Sequence, residues 1–164
     1  MIRLEAQLPR DRECPGWIEL YRDGTRLAGP YRARGEADNT AAAKASNVQE
    51  DPERSFGDHP FGLYRVTRVV WGPAPRASYG GAFLALDPVD GEALEAKRNG
   101  RTGLGIHGGD RDGAKRLRAT HGCLRVDEGA ITALAQAVDE ELTAGRAVFY
   151  RCREQEASAE DITA

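Results

Sequence analysis

Two of the three histidines and one of the three cysteines fall within 17 residues, from His107 to Cys123. They sit in two glycine-containing stretches, Gly103-Leu104-Gly105-Ile106-His107-Gly108-Gly109 and Thr120-His121-Gly122-Cys123-Leu124-Arg125-Val126. A thiol becomes a nucleophile when a neighbouring base takes its proton or a cation favours the thiolate. Both are close in sequence. His107 and His121 flank the spacer, and residues 97–125 carry eight basic side chains against Asp110 and Asp112, a net of +6. That segment predicts a positive field over a site for an anionic ligand. A solvated charged loop is the plain alternative. Gly122 permits tight backbone geometry beside Cys123, so main-chain N–H groups could face a developing oxyanion.

Other chemistries compete for these residues. Gly103, Gly105 and Gly108 satisfy G-x-G-x-x-G, but a dinucleotide fingerprint needs a strand before it and a helix after it. Here Lys97-Arg98-Asn99-Gly100-Arg101 precedes the motif, and Gly109, Asp110 and Gly113 follow it, so the match reads as coincidence. A His107/His121/Cys123 zinc site has suitable ligand types, but its spacing matches no zinc pattern. Cys14 and Cys152 read as small buried hydrophobes, and His59, between Asp58 and Pro60, as a structural histidine.

These stretches need elements to position them. The chain has 164 residues, 40% of them hydrophobic, enough for one domain with a core. A net charge of −3 excludes a polybasic binder, so no nucleic-acid partner is expected. The longest apolar run, Ala82 to Leu86, is far too short for a membrane span. Met1 to Glu5 shows no apolar signal region, so an ordinary secretory signal is not expected. Three cysteines exclude a disulfide scaffold. Ile2, Leu4, Ala6 and Leu8 alternate as a half-buried strand, and Ile18 and Leu20 as a second. Asp23-Gly24 predicts a hairpin returning over 25–33. Residues 35–58 predict a long loop with a short helix near 40–48; such loops are often functional lids. Further strands are predicted over 61–71, 81–86, 103–107 and 147–153. Ile131, Leu134, Ala135, Val138 and Leu142 share one helical face between an N-cap at Asp127 and Gly145. The sum is a mostly β domain over 1–153 with one packed helix and a polar tail over 154–164.

The catalytic stretch closely resembles the signature of the L,D-transpeptidase (YkuD-like) family: a histidine, a spacer, then Ser/Thr-His-Gly-Cys, a hydrophobic residue and Arg or Asn. Ile106-His107-Gly108-Gly109 and Thr120-His121-Gly122-Cys123-Leu124-Arg125 match these positions in order. Pro60-Phe61-Gly62-Leu63-Tyr64 is similar to the family's Pro-Thr-Gly-Thr-Phe/Tyr strand opening, and the Asp23-Gly24 hairpin to its N-terminal hairpin. The resemblance implies an L,D-transpeptidase-like β-sandwich with one packed α-helix. It implies cysteine-dependent acyl transfer on peptidoglycan stem peptides or muropeptides, without metal or organic cofactor. Cys123 is the implied nucleophile and His107 the base, oriented by the Gly108 carbonyl; His121, Gly122 and Cys123 supply the oxyanion pocket. Arg125 either holds a substrate carboxylate or braces the loop, and Thr120 and Arg118 complete the implied substrate contacts. A histidine base of ordinary pKa predicts a rate rising through about pH 6–7. Hydrolysis in place of transfer makes the same site an L,D-carboxypeptidase. D-amino-acid exchange by a wall-targeting effector, or an inactive peptidoglycan-binding module, are the alternatives. The chemistry implies a cell-envelope location.

Overall fold

Eight strands close into a single ring in this computed structural model, which describes residues 1–109, 117 and 119–155. They are β1 (Ile2–Leu8), β2 (Gly16–Arg22), β3 (Thr25–Arg34), β4 (Gly62–Trp71), β5 (Ala82–Asp90), β6 (Gly105–His107), β7 (Leu124–Val126) and β8 (Val148–Glu154). The order around the ring is β1-β2-β3-β7-β6-β5-β4-β8, and β8 returns to β1 in parallel. The mostly β fold expected from the sequence is the one found, with the expected sandwich closed at its edges into one ring. Period-two patterning explains why the ring has a dry side. Ile2, Leu4, Ala6 and Leu8 of β1 are buried, as are Val148, Tyr150 and Cys152 of β8. Asp23 and Gly24 both have positive φ, as a two-residue type I′ hairpin requires, and they pair Arg22 with Thr25.

The predicted late helix is α4 (Glu128–Thr143), which follows Asp127 and ends before Gly145 at φ +79°. Its buried face, including Ile131, Leu134 and Val138, packs on β4 and β5 and reaches β1, β3 and β8. Each of those three side chains contributes roughly 1.5–3 kcal/mol by burial. Among the described residues three further helices accompany it: α1 (Asn39–Lys44), α2 (Arg76–Tyr79) and α3 (Gly91–Arg98). The sequence reading missed α3 because only Ala93 and Ala96 form its buried face, too little apolar surface to register as a stripe. Among the described residues, no helix is long and apolar enough to cross a membrane.

The 35–58 loop is packed rather than slack. Asp38 caps α1 by accepting from the Ala41 amide at 2.8 Å. Asn47, 1% exposed, folds the rest on itself: its Nδ2 donates to Asp51 O and Ser55 O, and its Oδ1 accepts from Asp51 N. Cys14 is exposed, not buried as its residue type suggested, because it lies in the β1–β2 connection, outside the strands. Cys152 is buried. His59 is structural as expected: its Nδ1 donates to Gly122 O at 2.9 Å, its Nε2 accepts from the Tyr150 hydroxyl at 3.0 Å, and its ring stacks on Tyr64.

Candidate active site

β6 and β7 run parallel, with Ile106 opposite Leu124 and His107 opposite Arg125. Ile106 and Leu124 belong to the core. By strand alternation, His107 and Arg125 therefore project from the other face, and Cys123, two residues before Arg125, projects with them. Two short strands thus bring together residues separated by the whole spacer. Cys123, His107, His121, Thr120 and Arg125 all line one cleft of about 730 Å³, with Asp38 and Phe56 from the 35–58 loop and Tyr79 and Phe83 beside His107.

His107 is 2% exposed, and its Nδ1 lies 2.6 Å from Gly108 O. A carbonyl only accepts, so Nδ1 carries the hydrogen and Nε2 keeps its lone pair. Tyr79 meets the ring edge-on with centroids 5.0 Å apart, and Phe83 stacks at 5.8 Å. Burial, joined by the positive charge of Arg125, pushes the His107 pKa down to about 4 against the Gly108 hydrogen bond. The imidazole is therefore neutral at physiological pH, and the expected titration near 6–7 is corrected downward. Glu128, at the start of α4, fixes the backbone behind the ring: Oε1 accepts from Gly109 N at 2.9 Å and Oε2 from Gly81 N at 3.1 Å.

The cysteine turn is held from several sides. Thr120 Oγ1 donates to Cys123 O at 2.8 Å and accepts from Gly122 N at 2.9 Å. That corrects two expectations: the Thr120 hydroxyl is spent inside the turn, and the Gly122 amide is not aimed at an oxyanion. The Thr120 backbone is clamped by Glu36 O and Asp38 N. The His121 ring lies 5.3 Å from that of Phe56. Cys123 is half-buried, with Sγ 3.6 Å from Gly103 O. Burial pushes its thiol up to about 11, while a hydrogen bond from the Gly105 backbone and the charges of Arg101 and Arg125 pull it down. The positive segment does not overcome desolvation, so the thiol rests protonated.

The +6 segment also proves less free than its charge count suggested. Lys97 pairs with Asp87 and Arg98 with Glu95. Arg125, 5% exposed, braces backbone: Nε donates to Gly108 O, Nη1 to Ala119 O and Nη2 to Ser78 O. Of its two expected roles, loop bracing is visible. Arg118, with Arg111, Lys115 and Arg116, lies outside the described residues. Among the described residues, no group of three or more His, Cys, Asp or Glu side chains is placed to hold a metal ion. The glycine motif is explained by packing: a Cβ on Gly105 would lie 2.2 Å from the Phe83 ring, and one on Gly108 2.2 Å from Glu128 Oε1.

Gly122 offers a stability test. Its φ is +110°, and a Cβ there would lie 1.7 Å from Arg101 Nη2 and 2.5 Å from Gly57 O. Gly122→Ala is expected to cost about 2–4 kcal/mol from strain and overpacking together. Gly100, at φ +89° with nothing near a Cβ, should lose only about 1 kcal/mol on the same change. Denaturant melts compare the two, and equal losses would contradict the packing described.

The family model for the L,D-transpeptidase catalytic domain (YkuD) matches residues 19–148, and the chain belongs to that family. Among solved structures, that of Bdellovibrio bacteriovorus Bd1075 is similar with a TM-score of 0.51 at 17% identity, over 82% of this chain and 43% of that one. The Ldtfm-avibactam carbamoyl enzyme aligns with a TM-score of 0.46 at 15% identity, over 91% of this chain and 47% of that one. The chain thus spans less than half the length of either. A search of curated proteins gives no significant match.

Proposed function

We propose that the cleft carries out cysteine-dependent acyl transfer on peptidoglycan stem peptides. His107 Nε2 takes the proton from Cys123 Sγ as sulfur attacks the carbonyl carbon of the stem's third-position diamino acid. The C–N bond to the terminal D-alanine breaks, and the imidazolium returns the proton to the departing amine. The resulting thioester passes to an amine of a second stem, forming a cross-link, or to water, forming a shortened stem. The oxyanion falls to the amides of His121 and Cys123, since that of Gly122 is occupied by Thr120. Arg125 and Gly108 set the imidazole, and no metal is assigned a step.

One observation carries this reading: a buried, neutral His107 with its Nδ1 proton fixed by Gly108 O lines the same cleft as Cys123, the residue that immediately precedes the strand paired with His107's own. Incubation with purified disaccharide-tetrapeptide, followed by mass spectrometry, tests it. Dimers indicate transpeptidation, and loss of one alanine without dimers indicates L,D-carboxypeptidase activity. Replacement of that alanine by an added D-amino acid indicates exchange. Unchanged tetrapeptide under reducing conditions overturns the reading in favour of a binding module.

The pH dependence follows from the two shifts. His107, lowered to about 4, is a competent base above that pH, and Cys123, raised to about 11, keeps a transferable proton below that one. The kcat/KM for the free enzyme should rise between about pH 3 and 5 and then stay level past pH 8. A rise centred between about pH 6 and 7 would contradict the buried, neutral histidine.

A further inference from the structure

Arg101 looks on sequence like one more charge of the basic segment, yet it is 3% exposed. Its partners among the described residues are backbone carbonyls. Nη1 donates to Pro52 O and to Asp58 O at 2.9 Å, and Nη2 to Gly57 O at 2.7 Å and His121 O at 3.4 Å. Nη2 also fills the space where Gly122 would carry a Cβ. The guanidinium therefore joins the 52–58 stretch of the long loop to the turn that carries Cys123, and it lines the same cleft.

Burying a cation is costly unless it is paired or well solvated by the protein. Here carbonyl dipoles solvate it, while the carboxylates of Asp58 and Glu92 act only through space. Carbonyls stabilise the charge without cancelling it. Its field therefore persists across the cleft, where Cys123 is one of the groups that feel it.

We propose that Arg101 is a positioning residue for acyl transfer: its buried guanidinium locks the 52–58 loop onto the cysteine turn and supplies a fixed positive charge to the sulfur and the oxyanion. This rests on Cys123 being the nucleophile of the proposed function. The planar fork matters as well as the charge, because a lysine ammonium cannot span Pro52, Gly57, Asp58 and His121 together.

The test is the rate of Cys123 alkylation by iodoacetamide, read by peptide mass spectrometry on the full chain carrying Cys14→Ala. Below the thiol pKa this rate follows the thiolate fraction. Arg101→Met and Arg101→Gln remove the charge, and Arg101→Lys keeps it while losing the fork. An opposite charge nearby shifts a pKa by one unit or more, and because a thiolate of higher pKa is more nucleophilic, the neutral variants should react at least about threefold more slowly than Arg101→Lys at the same pH. Arg101→Lys should show faster amide exchange over 50–58 and a lower kcat on tetrapeptide with KM held. Neutral variants that react as fast as Arg101→Lys overturn the electrostatic role. If the neutral variants do not fold, Arg101→Lys decides: unchanged exchange and kcat overturn the proposal, and the expected changes support it. Alkylation needs no peptidoglycan. Neutral variants that alkylate slowly as described, together with a wild type that leaves tetrapeptide intact, overturn the proposed function and not the role of Arg101 at the thiol.

Discussion

Cys123→Ala is expected to abolish covalent modification by a carbapenem, a reactive acylating probe, while Cys14→Ala should leave one adduct per chain. The structure makes this a demanding expectation, because Cys14 is the exposed thiol and Cys123 is only half-buried. Accessibility alone favours Cys14. Cys123 differs in lining the same cleft as a neutral imidazole, and in the proposed mechanism its turn supplies the oxyanion amides. Cys152 is sealed in the core next to Tyr150, with its own thiol pushed up to about 11 by burial. Turnover of tetrapeptide should fall to background in Cys123→Ala, with little change in melting temperature. An adduct that survives Cys123→Ala removes the nucleophile from the account.

His107→Gln is expected to lower kcat on tetrapeptide by about 10²–10⁴-fold, the usual worth of a positioned general base. Glutamine can still donate a hydrogen bond to Gly108 O, but it cannot take the thiol proton. The ring contacts with Tyr79 and Phe83 are lost, so a small drop in stability should accompany the kinetic loss. Circular dichroism should show an unchanged fold. The measurement is made with and without EDTA. Activity that EDTA removes and zinc restores, or a variant that turns over like the wild type, contradicts the role of His107.

What could be read in the sequence was what is local. Period-two alternation marks β1, the Asp23-Gly24 pair marks its hairpin, and the 3.6-residue stripe from Ile131 to Leu142 marks α4. His107, Thr120, His121, Cys123 and Arg125 lie in two short motifs and do meet in one cleft. The rest depends on burial, which charge and spacing do not encode. Arg101 and Arg125 count as free cations in a sequence but are enclosed by carbonyls in the fold. The 35–58 segment shows no pattern because polar side chains such as Asn47 and Asp38 organise it. There burial, and then the neighbouring Asp58 carboxylate, raise the Glu50 carboxyl to about 7, because the loop packs its own acids together. Glu128 offered no signal beyond a place in a helix's first turn, yet it fixes the backbone behind His107. The titration of His107 departs from that of an ordinary imidazole for the same reason, since its desolvation arises only in the fold.

The most direct measurement is the intact mass of the protein quenched during turnover of disaccharide-tetrapeptide, with the modified residue mapped by peptide sequencing. The account predicts a transient thioester on Cys123 whose added mass is that of the disaccharide-tetrapeptide less one D-alanine, with free D-alanine released and no adduct in Cys123→Ala. D-Alanine release that persists in Cys123→Ala, or an acyl group mapped to any other residue, would contradict it.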